Sequence, residues 1–144
     1  MKKLFAILAC ISIISLQYSC SQNENQVKQN TLKQEQSKTI AKNLDAKQFY
    51  EMMQTSPGII LDVRTPGEYA QGHMPEALNM DIHDANFKTN LQQLNKDTII
   101  YVYCASGSRS SQAMSIMEKD GFTTIYNYKG YFSDWVNKGY PVIK

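Results

Sequence analysis

Thr98-Ile-Ile-Tyr-Val-Tyr-Cys-Ala-Ser-Gly-Ser-Arg109 is the stretch that decides how the rest of the chain is read. Residues 98–103 are β-branched and aromatic throughout, the composition that fits a pleated, buried strand. Cys104 to Arg109 follow without a gap, and residues 110–119 carry Ala113, Ile116 and Met117 at helical spacing until Gly121 ends the pattern. The spacing therefore predicts strand, short loop and helix in succession. In an open parallel sheet, ligands lie at the carboxyl ends of strands, where the next loop and helix N-terminus converge. Gly107 gives this loop the backbone freedom of a tight turn. Amide N–H groups turned inward would make a cradle of positive potential at the helix start. A cysteine at its mouth is biased toward thiolate, against a free thiol of pKa ~8.5. The same cradle suits a small anion.

Outward from this unit, strands and helices alternate. Asp45 is a helix cap with Gln48 three residues on, and Phe49, Met52 and Met53 follow at helical spacing up to Ser56-Pro57-Gly58. Ile59-Ile60-Leu61 is a continuous apolar run closed by Asp62, as expected of a strand covered on both faces. Thr65-Pro66 opens a brief helix through Tyr69. Phe87, Leu91 and Leu94 mark another helix, Thr123 to Tyr126 a third strand, and Phe132, Trp135 and Val136 a last helix before Gly139-Tyr140-Pro141. The alternation predicts an α/β fold, a central parallel sheet with helices on both faces.

The 144 residues fit one domain. No apolar run reaches the ~18 residues of a spanning helix. A net charge of +2, from 15 basic and 13 acidic residues, is too small for a nucleic-acid footprint. Lys2 and Lys3 precede an acid-free apolar run from Leu4 to Leu16, which reads as an export signal over residues 1–19. Gln17-Tyr18-Ser19-Cys20 resembles a bacterial lipoprotein lipobox, whose cysteine is lipidated and becomes the new N-terminus. The usual aliphatic residue three positions before the cysteine is Gln17 here, and the competing reading is an ordinary signal cleaved near Ser19. The expectation is an exported, periplasmic or cell-envelope lipoprotein held to the membrane by lipid on Cys20 alone. Residues 20–43 are mostly Gln, Asn, Ser, Thr and Lys and read as a flexible tether, leaving 44–144 as the folded domain. That domain has nine basic and eleven acidic residues and shows no basic patch.

Residues 44–144 resemble a single rhodanese domain. The loop matches the six-residue sulfurtransferase pattern opened by cysteine, with glycine fourth and arginine or threonine last. Leu61-Asp-Val-Arg64, Glu68-Tyr69, Gly72-His-Met-Pro75, Ala77 and Asn79 resemble the family's second signature, and Gly130, Trp135, Gly139 and Pro141-Val142 its C-terminal pattern. Three departures stand out: Glu76 where glycine is usual, Ala105 where arginine often follows the nucleophile, and Lys129, which breaks a glycine pair. The resemblance implies sulfane-sulfur transfer. Cys104 would attack a donor such as thiosulfate, hold the sulfur as a persulfide, and pass it to cyanide or a thiol. Ala105, Ser106, Gly107, Ser108 and Arg109 would bind the anionic sulfur, with Asp62 and Arg64 as structural support. The partners implied are a small sulfur-containing anion and a thiol acceptor, with no nucleic acid, no cofactor and a monomeric state.

The same residues admit other readings. Cys104 as a small buried hydrophobe does not account for its spacing to Gly107 and Arg109. With residues 1–19 removed, Cys20 and Cys104 are the only cysteines, which disfavours a two-cysteine disulfide oxidoreductase. Arg109 at a helix start opposes the helix dipole, and an anion in the loop supplies a reason for it. His73 reads as a structural hydrogen-bonding residue, and with His83 isolated no metal site is expected. No histidine stands at motif spacing from Ser106, Ser108, Ser110 or Ser111, against a serine nucleophile. Cysteine phosphatases use a similar cradle one residue longer, whereas position 110 is serine and the arginine comes at 109. A binding or regulatory module of the same fold would often lack the cysteine that this chain keeps.

Overall fold

The computed structural model describes residues 39–144. Five strands, β1 (Ile40–Leu44), β2 (Ile59–Asp62), β3 (Leu78–Asn79), β4 (Ile100–Tyr103) and β5 (Thr124–Tyr128), form one sheet in the order β1-β5-β4-β2-β3. Every pairing is parallel. Five helices accompany them: α1 (Ala46–Thr55), α2 (Pro66–Ala70), α3 (Phe87–Leu91), α4 (Ser108–Lys119) and α5 (Phe132–Asn137). This is the α/β architecture, a central parallel sheet with helices on both faces, expected from the alternation of strand and helix patterns.

Local chemistry explains most element boundaries. Asp45 caps α1 through a reciprocal capping box, its Oδ1 accepting from Gln48 N at 2.9 Å. Thr65 and Glu68 form a second such box at α2, with Pro66 at the first helical position. β4 is buried along its whole length and splits its side chains between the two faces. Ile100 and Val102 join Leu61, Phe87, Leu91, Ala113, Met117 and Ile125 in one apolar layer under α3 and α4. Tyr101 and Tyr103 join Phe49, Met74, Tyr128 and Trp135 in the other, against α1 and α5. The aromatic layer is tied by edge contacts, Phe49 lying 5.6 Å from Tyr101 and 6.1 Å from Trp135.

The structure departs from the sequence expectations at several places. Residues 40–43, assigned to the tether, belong to β1, paired to β5 from Ile40↔Thr124 to Leu44↔Tyr128. An edge strand exposed on one side needs few apolar side chains, so its composition reads as linker while its backbone is paired. Residues 20–38 of the tether, Cys20 among them, and the export signal lie outside the described residues. β3, only two residues long, carries no periodic signal. α4 starts at Ser108 rather than 110, and β5 runs on to Tyr128. Glu76, standing where the family resemblance leads to glycine, has φ +62°, a left-handed backbone that costs a non-glycine residue about 1 kcal/mol or more.

Consecutive connections leave the sheet in opposite directions from β2 and β4. The chain after β2 runs through α2 outward to β3, whereas the chain after β4 runs through α4 back to β5. A crevice therefore opens beyond the carboxyl ends of β2 and β4, the place where such sheets bind ligands.

Candidate active site

Cys104 is the first residue beyond β4, and its side chain is fully buried. Gly107 caps α4 with φ +84°, a left-handed conformation that turns its amide back to donate to Cys104 Sγ at 3.1 Å. Burial pushes the Cys104 thiol up. Hydrogen bonds from the Ser110 hydroxyl and from the backbone N–H groups of Ser110, Ser106 and Gly107 outweigh it and hold the thiol below its ordinary value. The Ser110 hydroxyl is buried beside the sulfur and donates to Gly107 O at 3.2 Å. The sulfur thus accepts from the Gly107 N–H at the positive end of a twelve-residue helix.

The loop is locked from several directions. Phe132 N donates to Ala105 O at 2.9 Å. Ser111 Oγ donates to Gly107 O at 2.6 Å and accepts from Asn127 Nδ2 at 3.1 Å. The Lys129 backbone lies against Gly107, where a Cβ would stand 3.4 Å from Lys129 Cα. That approach depends on Gly130, where a Cβ would collide with the Tyr128 ring at 2.5 Å.

Asp62 and Arg64, at the end of β2, form the neighbouring wall. Arg64 Nη2 donates to Asp62 Oδ2 at 2.6 Å and to Gly72 O at 2.7 Å, and Arg64 Nε lies 3.0 Å from both Asp62 oxygens. Both side chains are buried. The guanidinium sits 4.1 Å from the centre of the Phe132 ring, the residue whose amide holds Ala105. Tyr103 OH, accepting from Met74 N at 3.0 Å, extends the same network, and burial followed by the nearby Asp62 charge pushes its phenol up. Arg64, Glu68, Gly72, Ala105 and Phe132 line an open cleft of about 370 Å³ beside the loop. A second hollow of about 360 Å³, lined by Tyr50, Gln54, Glu76 and Trp135, borders the first residues of β2 and contains no cysteine.

The expected site residues come together, but they divide the work differently. Within the loop it is the backbone of Ser106 and Gly107 that faces Sγ, while the side chains of Ser106 and Ser108 are exposed. Arg109, expected to serve an anion, spends both terminal nitrogens on Glu68, Nη1 to Oε2 and Nη2 to Oε1, each at 2.7 Å. Its position at a helix start is therefore balanced by a carboxylate of the chain itself. Sequence reasoning missed Glu68 and Ser110 as members of the site. The Thr65-x-x-Glu68 capping box was a legible signal for the first, and the second had none beyond its place two residues into the helix. His73 is structural, its ring stacked 3.8 Å from Tyr69 and its backbone bridged to Ile143.

Comparison with known proteins bears on the family and the fold. The family described as "Rhodanese-like domain" matches residues 45–138. The chain is 33% identical over 89 residues to a sulfurtransferase of Allochromatium vinosum, covering 62% of this chain and 81% of that one. It is 29% identical over 120 residues to a thiosulfate:glutathione sulfurtransferase of Saccharomyces cerevisiae, covering 72% and 86%. A crystal structure of a rhodanese-related protein from Thermoplasma volcanium superposes with a TM-score of 0.62 at 27% identity, over 71% of this chain and 97% of that one. The chain spans 61% and 42% of the length of two further curated relatives and 20% of another, so the matched unit also occurs within longer proteins.

Proposed function

From the premise that this chain belongs to the rhodanese-like domain family, with sulfurtransferases among its relatives, we propose that it transfers sulfane sulfur through a persulfide on Cys104. The observation that carries this reading is the buried Cys104 sulfur at the end of β4, accepting from the Gly107 N–H at 3.1 Å and held toward thiolate by the Ser110 and Ser106 groups around it. The donors stabilise a thiolate before the reaction and the anionic terminal sulfur after it, with little reorganisation in between. The Cys104 thiolate attacks the outer sulfur of the donor, and the donor's S–S bond breaks with its electron pair leaving on the departing group. A thiol or cyanide then removes the sulfur and regenerates the thiolate. Because the nucleophile is already ionised, no separate general base is required.

Cys104 has no exposed surface in the resting loop, so the donor enters from the cleft and displaces the loop edge at Ala105. Asp62 and Arg64 position that edge through Phe132. The cell envelope is the proposed place of work, with Cys20 as the lipid attachment point, a reading supported by the N-terminal sequence alone. Transfer from a sulfane donor to cyanide, read as thiocyanate, tests the activity. Cys104→Ser is expected to lower the rate by at least about a thousandfold, and a variant that retains it would remove Cys104 from the reaction.

A further inference from the structure

Two arginines stand at this end of the sheet, Arg64 in the wall of the cleft and Arg109 in the first turn of α4 behind Glu68, and both are already matched by carboxylates. Arg64 is held by Asp62 and the Gly72 carbonyl. Arg109 is held bidentately by Glu68. Glu68 is itself fixed, its Oε2 accepting from Thr65 N at 3.1 Å and Thr65 Oγ1 at 2.9 Å as well as from Arg109. The pair is thus built into the start of α2 rather than formed by two mobile surface side chains. The hydrogen-bonded Arg109 first, and the Thr65 groups after it, hold the Glu68 carboxyl at about 2, so it stays ionised at any physiological pH. Asp81 adds a further negative charge that acts on Arg109. Lys129 lies behind the loop through its backbone, and its side chain is not among those lining the cleft.

Charge then decides which donors this mouth favours. Thiosulfate is a dianion, and it must approach a thiolate, so its capture depends on an unpaired cation at the entrance. An alkyl persulfide brings one negative charge or none. We propose that Glu68 is the donor-specificity residue of this site, engaging Arg109 so that low-charge alkyl persulfides are selected over dianionic thiosulfate. The inference rests on the sulfurtransferase reading above. With a persulfide R–S–SH, the Cys104 thiolate bonds to the terminal sulfur as the donor's S–S bond breaks. The electron pair leaves on RS⁻, the proton stays with the transferred sulfur, and no oxidant or reductant is consumed.

The test uses the full chain and two donors, thiosulfate and the persulfide of 2-mercaptoethanol, with kcat/KM for sulfur loading of Cys104 measured across ionic strength. For the wild-type protein the persulfide is expected to be preferred by roughly tenfold or more, with a thiosulfate value that does not fall as salt is added. Glu68→Gln, which frees Arg109, should raise the thiosulfate-to-persulfide ratio roughly tenfold and make the thiosulfate value fall with salt. The double variant Glu68→Gln with Arg109→Gln should restore the wild-type ratio, because the two charges are lost together; a purely structural role for Glu68 would not produce that return. If Glu68→Gln does not fold, the wild-type donor preference and its salt dependence decide the matter. Preference for thiosulfate in the wild type, or an unchanged ratio in folded Glu68→Gln, overturns the inference and leaves sulfur transfer standing. Loading by neither donor overturns both.

Discussion

Ser110 stands beside the fully buried Cys104 thiol, and its hydroxyl and amide favour the thiolate. Ser110→Ala removes a hydroxyl that favours the ionised form and is expected to raise the thiol pKa. The direction follows from which form the hydroxyl favours: it binds the thiolate, and its loss favours the protonated thiol. The rate of Cys104 alkylation plotted against pH should keep its sigmoid shape with the midpoint moved upward. The two proteins should converge at pH values above both midpoints. An unmoved midpoint would mean that the backbone amides of Ser106, Gly107 and Ser110 suffice. Cys104 and Gly107 were legible in the sequence because a nucleophile and a turn-forming residue at fixed spacing between a strand and a helix have few other uses. Ser110 and Glu68 were not, since a hydroxyl on a helix and an acid in a capping box acquire their roles only when α4 and α2 meet across the crevice. Arg109 shows the converse: its position was read correctly, and its partner was a residue 41 positions upstream.

Among the elements, β1 carries the sharpest consequence. Its backbone supplies the outer partner of β5, and Asn43 Oδ1 accepts from the buried Asn127 Nδ2 at 2.7 Å. Leu44 O accepts from Lys129 N at 3.1 Å, anchoring the segment that backs Gly107. A chain beginning at residue 45 loses all of these, whereas one beginning at residue 39 keeps them. Each lost hydrogen bond is worth about 1 kcal/mol, and 1 kcal/mol moves the melting temperature of a domain this size by about 4–8 °C. The shorter chain should therefore melt at least about 5 °C below the longer one in a thermal scan, and equal melting would show β1 to be dispensable. The strands and helices with dense apolar patterns, β2, β4, α1 and α4, were readable from periodicity. β1 was not, because Ile40-Ala-Lys-Asn-Leu44 has an ordinary polar composition and its order comes from backbone pairing with residues more than eighty positions away.

At the scale of the molecule, an all-parallel sheet with an apolar layer on each face brings the ends of β2 and β4 together. The sulfur chemistry proposed here needs that convergence: β4 and α4 supply the cradle, β2 and α2 the wall and its charges. The fold was foreseeable because alternating strand and helix patterns allow few arrangements. The charge balance of the cleft was not, because it depends on which side chains meet in space. The central claim is that Cys104 carries the transferred sulfur. Intact mass after treatment with a sulfane donor, and again after cyanide, tests it directly with Cys104→Ser alongside. A gain of one sulfur atom that cyanide removes and the variant lacks is the predicted result. The same gain in Cys104→Ser, or none in the wild type with either thiosulfate or an alkyl persulfide, would contradict it.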